Sequence, residues 1–415
     1  MMKKIVTFLM INLCCNLSFS QTNWTLIHND TLYYRYDDVF FLDDHVGWAV
    51  NGGGGSVFKT IDGGETWELK FQTAYYLRNI EFLNENIGFL GTLDNKFYRS
   101  TDGGDTWDSI TISPNPPAVC GLDAVGSSTI YGCGAYFSAS PNVIKSIDSG
   151  VTWEYIDMSA YATGLVEILF INEQLGYVSG KSSTGGIILK TEDGGVSWTE
   201  IYNSQTPGDY VWKLQLLENN THIYGSIQSE VSGRLLKSAD SGNTWETKPF
   251  IDNMVQAVGF ITPDHGWMGG HTTGFYETTD GGDTWNSLLV GSNLNRIFVI
   301  NPHLAYASGG GLYKYGYSTL STGITEDKPK DALSVTINPN PFSEKLNFSI
   351  DFQHADHLVA EIYDASGKLL KELLSDKVGK AQKKNYSVDF PYSAGKYLLN
   401  IHTNNGRRSF TVVKL

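Results

Sequence analysis

Beyond its first twenty residues, the 415-residue chain has no run approaching 18 apolar residues, so no transmembrane helix is expected in the exported part. Charged side chains make up only 18%, too few for a coiled coil, while aromatics at 13% are too many for a disordered polypeptide. Basic residues are scarce where acidic ones are dense: residues 21–318 hold 15 Lys/Arg against 33 Asp/Glu. That balance excludes the basic stripe needed for a phosphate backbone, and it excludes adsorption to an anionic membrane. Tryptophan is missing after Trp285, although all ten tryptophans lie between Trp24 and that position. A single core rarely grows past about 250–300 residues, so one closed repeat architecture followed by a small domain is expected.

What is present begins with an export signal. Lys3 and Lys4 precede the apolar run Ile5–Leu13, which is broken only by Thr7 and Asn12, and Ser18 and Ser20 are the small residues before Gln21. The pattern predicts a secretory signal peptide over 1–20, cleaved between Ser20 and Gln21. The alternative is a lipoprotein lipidated at Cys14 or Cys15, for which the preceding residues are a poor fit. Cleavage leaves Cys120 and Cys133, placed symmetrically about Gly126-Ser127. If that dipeptide is a strand-to-strand turn, antiparallel pairing sets the two sulfurs opposite each other and predicts a disulfide. Two buried thiols are the alternative.

A repeat near 43 residues runs through 21–318. The motif Ser/Thr-x-Asp-x-Gly-x-Thr/Ser-Trp occurs six times, with Asp62, Asp102, Asp148, Asp193, Asp240 and Asp280 at its centre and Trp67, Trp107, Trp153, Trp198, Trp245 and Trp285 at its end. A second series, Trp48, Phe89, Tyr131, Tyr177, Tyr224, Trp267 and Tyr306, has seven members, each preceded seven or eight residues upstream by an apolar strand residue. A third, the strand leading into each motif, also has a seventh copy, Leu312-Tyr313-Lys314. Seven repeats with six motifs leave one fourth strand missing, and Asn23-Trp24-Thr25-Leu26 has its character. The fold expected is all-β: a seven-bladed β-propeller over 21–318, closed by its N-terminal strand, which hides open sheet edges. Six or eight blades are the alternatives.

The motif resembles the Asp-box of the bacterial neuraminidase (BNR) repeat family. Its Asp and Ser/Thr side chains suit bonds to nearby backbone NH groups, and its Gly suits a tight turn, so the six aspartates read as staples rather than catalysts. In sialidases with such boxes, the resemblance implies that the boxes lie away from the active site. A sialidase also needs an arginine triad. The propeller has only Arg35, Arg78, Arg99, Arg234 and Arg296, and no Phe/Tyr-Arg-Ile-Pro signature. The pairs Asp37-Asp38 and Asp43-Asp44 read as solvated loop charge, because adjacent strand residues point to opposite faces. His28, His45, His222, His265, His271 and His303 are too scattered for zinc, and Gly52–Gly55 and Gly309–Gly311 lead into strands rather than opening a phosphate-binding helix. No cofactor, metal or catalytic residue is assigned. The innermost strands should begin with Asp38, Asn79, Gly121, Glu167, Lys213, Ala257 and Arg296 around the channel; Arg78 and Trp212 could extend a binding face with Lys213 and Arg296, or the ring could simply hydrate the channel. Over 21–318 the blades look like those of the photosystem II assembly and stability factor family, without a repeated arginine patch.

Residues 319–333 turn polar and read as a linker. From 334 onward short alternating strands suggest an Ig-like β-sandwich. Asn338-Pro339-Asn340-Pro341-Phe342, Ile362-Tyr363-Asp364-Ala365-Ser366-Gly367-Lys368, Ser393-Ala394-Gly395-Lys396-Tyr397 and the terminal Phe410–Leu415 occur in order. Together they resemble the type A C-terminal sorting domain of the type IX secretion system of Bacteroidota, covering 334–415. The resemblance implies that this domain is an address read by the secretion machinery, after which the cargo is released or attached at the cell surface. The reading is therefore an exported, non-enzymatic, monomeric propeller acting as a binding or adhesion module for an extracellular glycan or protein, its acidity favouring a cationic or neutral partner. The alternative is a secreted carbohydrate-active enzyme whose acids sit in loops such as Ser204–Asp209.

Overall fold

The computed structural model describes residues 22–29, 34–135, 140–217, 220–317 and 334–414 apart from the short stretches 338–341, 353–355, 365–368, 379–381, 394 and 404–405. The proposed signal peptide, the linker and most of the Asn-Pro-Asn-Pro motif lie outside the described residues. The chain divides into two compact units at Leu320/Ser321.

The first unit is seven four-stranded antiparallel sheets. Blade 1 shows the pattern. After β1 (Thr22–His28), strands β2 (Tyr36–Phe41), β3 (Gly47–Asn51), β4 (Ser56–Thr60) and β5 (Glu68–Gln72) pair in sequence order, from a buried inner strand to a largely exposed outer one. Blades 2 to 6 repeat this over 77–110, 121–157, 164–203, 210–249 and 255–287. Blade 7 has three strands from 296–317, and β1 supplies the fourth, with Thr22 opposite Tyr317 and Trp24 opposite Tyr315. The N-terminal strand closes the ring, as the count of seven repeats and six boxes requires.

Each box closes the turn between the third and fourth strands. In blade 2, Ser100 Oγ donates to Asp102 Oδ1 at 2.8 Å and accepts the Gly104 NH at 2.8 Å, while Asp102 takes the Thr106 NH at 2.9 Å and the Thr106 hydroxyl at 2.6 Å. The same bonds recur in the other five boxes. Gly103 and Gly104 sit at φ +74° and +85°, a left-handed region that glycine enters without strain.

The seams between blades explain the second-strand aromatics. Four of the seven lie over the inner-strand Phe of the next blade: Tyr306 on Phe41 and Tyr131 on Phe170 at 3.5 Å, Trp48 on Phe82 at 3.6 Å and Tyr224 on Phe260 at 4.1 Å between ring centroids. At the other three seams the corresponding residue is Ala124, Leu216 or Val299. Such stacked pairs contribute about 0.5–1.5 kcal/mol each beyond area burial. The polar end of the aromatic and the third-strand lysine then grip the next blade's box. Tyr306 and Lys314 both donate to the Gly63 carbonyl at 2.9 Å, Trp48 donates to Gly103 at 3.0 Å, and Lys145 donates to Gly194 at 2.9 Å. Blade 6 has no box ahead of it, because blade 7 is closed by β1. There the lysine is replaced by Glu277, which accepts the Trp267 indole NH at 3.1 Å, and Trp24 packs edge-on to Trp267 at 5.4 Å.

The disulfide expectation is corrected. Cys120 and Cys133 are free, buried thiols. The turn is one residue longer than the sequence suggested: Val125 pairs with Thr129 around Gly126, so Cys133 stands opposite Gly121 rather than Cys120. A slip of one residue sends side chains to opposite faces of the sheet. Burial raises the pKa of both thiols.

The second unit is a sandwich of a three-stranded sheet (Ser334–Ile337, Lys345–Phe352, Gln382–Asp389) and a four-stranded sheet (Leu369–Val378, Asp356–Asp364, Gly395–Thr403, Gly406–Lys414). Phe342, Leu346, Phe348, Ile350, Leu358, Ile362, Phe390, Leu399, Ile401 and Val412 fill its core.

Candidate functional site: the loop face of the propeller

Opposite the boxes, the loops that begin each inner strand converge around the channel. Here the inner strands carry a β-bulge at one recurrent position: after Tyr36 in blade 1, Leu77 in blade 2, Leu165 in blade 4, Val211 in blade 5 and Val255 in blade 6. A bulge breaks the simple alternation of a strand and re-aims neighbouring side chains. Asp37 and Asp38 are consequently both fully buried, in separate networks, and are not the solvated loop charge expected from alternation. Asp43 and Asp44 are exposed, in a turn where Asp43 accepts the His45 and Val46 NH groups at 2.8 and 2.7 Å. With His45 they form the one group of possible metal ligands among the described residues, and all three are exposed.

Asp37 is the hub of the loop face. Its carboxylate takes Arg35 at 2.6 Å, Arg78 at 3.0 Å, the Tyr76 hydroxyl at 3.0 and 3.1 Å and Asn295 at 3.1 Å. Arg35 also donates to His271 at 3.1 Å and Asn293 at 3.4 Å. Burial and the Arg35 and Arg78 guanidiniums push the His271 pKa down to about 4, so it is a neutral acceptor at ordinary pH. Burial and Asp37 raise the Tyr76 pKa, and Asp37 holds the Arg35 proton despite the burial of that side chain. One carboxylate thus pins side chains from blades 7, 1 and 2, and through Arg35 reaches His271 of blade 6.

The residues expected to form the binding face lie one layer deeper. Arg78, Trp212 and Lys213 are each about 5% exposed or less. Arg78 stacks over the Trp212 ring at 5.6 Å, and Trp212 lies on Tyr210 at 5.1 Å. Lys213 pairs with Glu167 at 2.6 Å, and Arg296 crosses to Asp38 at 3.1 Å. The channel therefore holds four acids, Asp38, Glu81, Asp123 and Glu167, around two cations. Burial raises the pKa of Glu81 strongly and that of Asp123 to about 7. These carboxylates are sequestered below the face. In the Ser204–Asp209 loop the single acid, Asp209, is buried and held by Arg234.

The residues that ring this face were missed from sequence. Arg35, Tyr76, Ala118, Gly164, Tyr210, Met254 and Asn293 stand three residues before the channel ring in the seven blades, so the repeat register itself could have found them. Around them Tyr34, Tyr75, Tyr161, Val231, Ile251, Met254 and Leu289 are exposed between 36% and 93%, all on loops of this face. No helix among the described residues is long and apolar enough to cross a membrane.

Residues 16–131 match the family described as Photosynthesis system II assembly factor YCF48, and residues 336–414 match the Secretion system C-terminal sorting domain. The Photosystem II assembly lipoprotein Ycf48 of Synechococcus sp. (strain CC9902) is 25% identical over 298 residues, covering 66% of this chain and 81% of the relative. A structure of YCF48 bound to D1 peptide superposes with a TM-score of 0.56 at 21% identity, over 72% of this chain and 98% of that one. Virginiamycin B lyase from Staphylococcus aureus superposes with a TM-score of 0.54 at 12% identity, over 71% and 99%. An assembly factor and a lyase on one scaffold mean that the fold does not decide the activity. The chain joins a YCF48-like propeller to a secretion-system sorting domain, which implies contact with the secretion machinery and a secreted or outer-surface location.

Proposed function

We propose that this YCF48-like propeller with its C-terminal sorting domain is a secreted binding module, which holds an extracellular protein or glycan on the face opposite its boxes without transforming it. The observation that carries the reading is the loop face itself. Exposed tyrosines and aliphatic side chains surround a network pinned by a single carboxylate; Asp38, Glu81 and Glu167 are sunk in the channel, and the exposed acids Asp94, Asp157 and Glu230 stand on three separate blades. A rigid amphipathic surface of this kind suits recognition, whereas glycoside hydrolysis needs two accessible carboxylates at a set separation. Both ends of the propeller, Thr22 and Tyr317, are paired on the box side, so neither lies on the proposed face. The YCF48 structure with a bound D1 peptide supports a peptide or protein as partner over a free sugar.

Export runs through the signal peptide over 1–20 and then through the type IX route read from 334–415. Deleting 334–415 is expected to strand the propeller in the periplasm, and unchanged extracellular levels in that strain would refute the route. For binding, a protein and glycan array probed with the exported chain is expected to give hits that disappear in the Tyr75→Ala/His271→Ala variant. Turnover of an arrayed glycan would overturn the non-enzymatic reading.

A further inference from the structure

The box face departs from its own repetition at blade 7, which has no box and a two-residue turn, Pro302-His303, between its first two strands, and again between blades 3 and 4. The turn joining the first two strands of blade 3 is only Gly126-Ser127-Ser128, whereas in blade 1 it is the five residues Leu42–Val46. Beside the short turn opens a cavity of about 330 Å³ lined by Ser128, Thr129, Tyr131, Lys145, Ile147, Glu173 and Gln174. Ligand-sized cavities begin near this volume.

The boxes of these two blades differ from the others at one position. The residue after the second turn residue of each box is polar in four of them, Glu65, Asp105, Asn243 and Asp283; in boxes 3 and 4 it is Val151 and Val196, exposed 70% and 83%. Ile147 on the cavity wall is 67% exposed, as is its counterpart Ile61 in box 1 at 70%. No packing in the propeller calls for Val151 or Val196 to face solvent. Lys145 is committed to the seam, at 2.9 Å from the Gly194 carbonyl and over the Tyr131 ring at 5.4 Å. Glu173 is exposed; its carboxylate takes the Thr129 hydroxyl at 3.5 Å and lies over Gly126 at the mouth, with no ion pair among the described residues. Glu154, Asp148, Glu192 and Asp193 belong to the same two blades and add negative charge.

We propose that this seam is a second interaction surface, which takes a lysine or arginine side chain of a protein partner against Glu173, with neighbouring aliphatic groups of that partner on Ile147 and Val196. Charge complementarity selects the cation, and the apolar rim covers its methylene stem. The surface lies on the side opposite the proposed recognition face and does not depend on it.

The test is methyl NMR of the exported chain labelled at Ile and Val, titrated with Nα-acetyl-lysine methylamide and Nα-acetyl-arginine methylamide, with the acetyl-glutamate analogue as control. Saturable shifts are expected at Ile147 and Val196, and none at Ile61 on blade 1 or at Val151 between blades 2 and 3. Glu173→Gln should weaken the apparent affinity about tenfold, which is about 1.4 kcal/mol. Val196→Lys, at an exposed tip where folding is not at risk, should weaken it as well. Shifts equal at Ile61, no saturation, or binding indifferent to both variants would overturn the proposal. So would a response to N-acetylglucosamine that survives Glu173→Gln, which would make the cavity a sugar site.

Discussion

The two faces of the propeller are built from the same seven sheets, yet one repeats itself and the other does not. On the box face the same set of bonds closes six turns, each Asp meeting its own Ser/Thr and backbone NH groups. On the loop face the corresponding ring reads Arg35, Tyr76, Ala118, Gly164, Tyr210, Met254 and Asn293, with one buried carboxylate serving several blades. Repetition marks what every blade needs in order to fold and join its neighbour. Departure from repetition marks what the molecule keeps for something else, and on the box face, ring closure at blade 7 apart, it includes Val151, Val196 and the short turn of blade 3.

The comparison breaks most readily at its hubs. Asp37→Ala leaves Arg35 and Arg78 without their buried partner, and removal of one member of a buried ion pair costs about 3–5 kcal/mol. Trp198→Ala, at a box tryptophan 6% exposed, should cost a similar amount, about 3–5 kcal/mol, through the cavity it leaves. Denaturant unfolding measures both; a loss below about 1 kcal/mol at either position, within the range of ordinary surface substitutions, would refute its structural role. Ser238→Ala removes one buried hydroxyl from a single box and should cost about 1–2 kcal/mol, equally whichever box is chosen.

Aspartates of the two environments should also titrate in opposite senses. The box carboxylates are held low, Asp148, Asp193, Asp240 and Asp280 at about 2, chiefly by their Thr or Ser hydroxyls. Their contribution is present above the ordinary Asp pKa near 4 and is lost as pH falls towards 2. Asp123 is raised to about 7, and Glu81 is raised too, chiefly by burial. These groups bind protons in the folded state that the unfolded chain has released, so their contribution is present at acid pH and is lost as pH rises from about 4 towards 7. Stability should pass through a maximum near pH 4–5, and Asp123→Asn should flatten the neutral limb while leaving the acid limb in place. A stability that only rises from pH 4 to 7, unchanged by Asp123→Asn, would show that the channel acids are ionised.

The framework was legible in the sequence because it is periodic. The boxes, the seven second-strand aromatics and Trp24 as the displaced seventh box tryptophan all follow from counting, and so does ring closure by β1. The site was legible only in part. Counting located the channel ring, but the recurrent bulge above it reassigned Asp37 and Asp38 and buried Arg78, Trp212 and Lys213. Alternation alone cannot foresee a bulge, since one inserted residue changes every direction after it. The same limit misplaced Cys120 and Cys133, where a turn longer by one residue sets the register. The loop-face residues Tyr75 and His271 lie outside any repeat and carried no signal at all.

The smallest structural effect is expected where the functional effect is largest. Tyr75→Ala should change stability by no more than about 0.5 kcal/mol, as exposed positions do, and His271→Ala, which removes one acceptor of Arg35, by about 0.5–1.5 kcal/mol. Binding should be indifferent to pH between 5.5 and 8, because His271 stays neutral above about pH 4. The decisive measurement is an array of secreted proteins and glycans probed with the exported chain, its loop-face variant Tyr75→Ala/His271→Ala and the box variant Ser238→Ala at equal folded concentration. A partner retained by the wild type and the box variant but lost by the loop-face variant is the expected result. Equal retention by all three, or chemical conversion of the bound partner, would contradict the account.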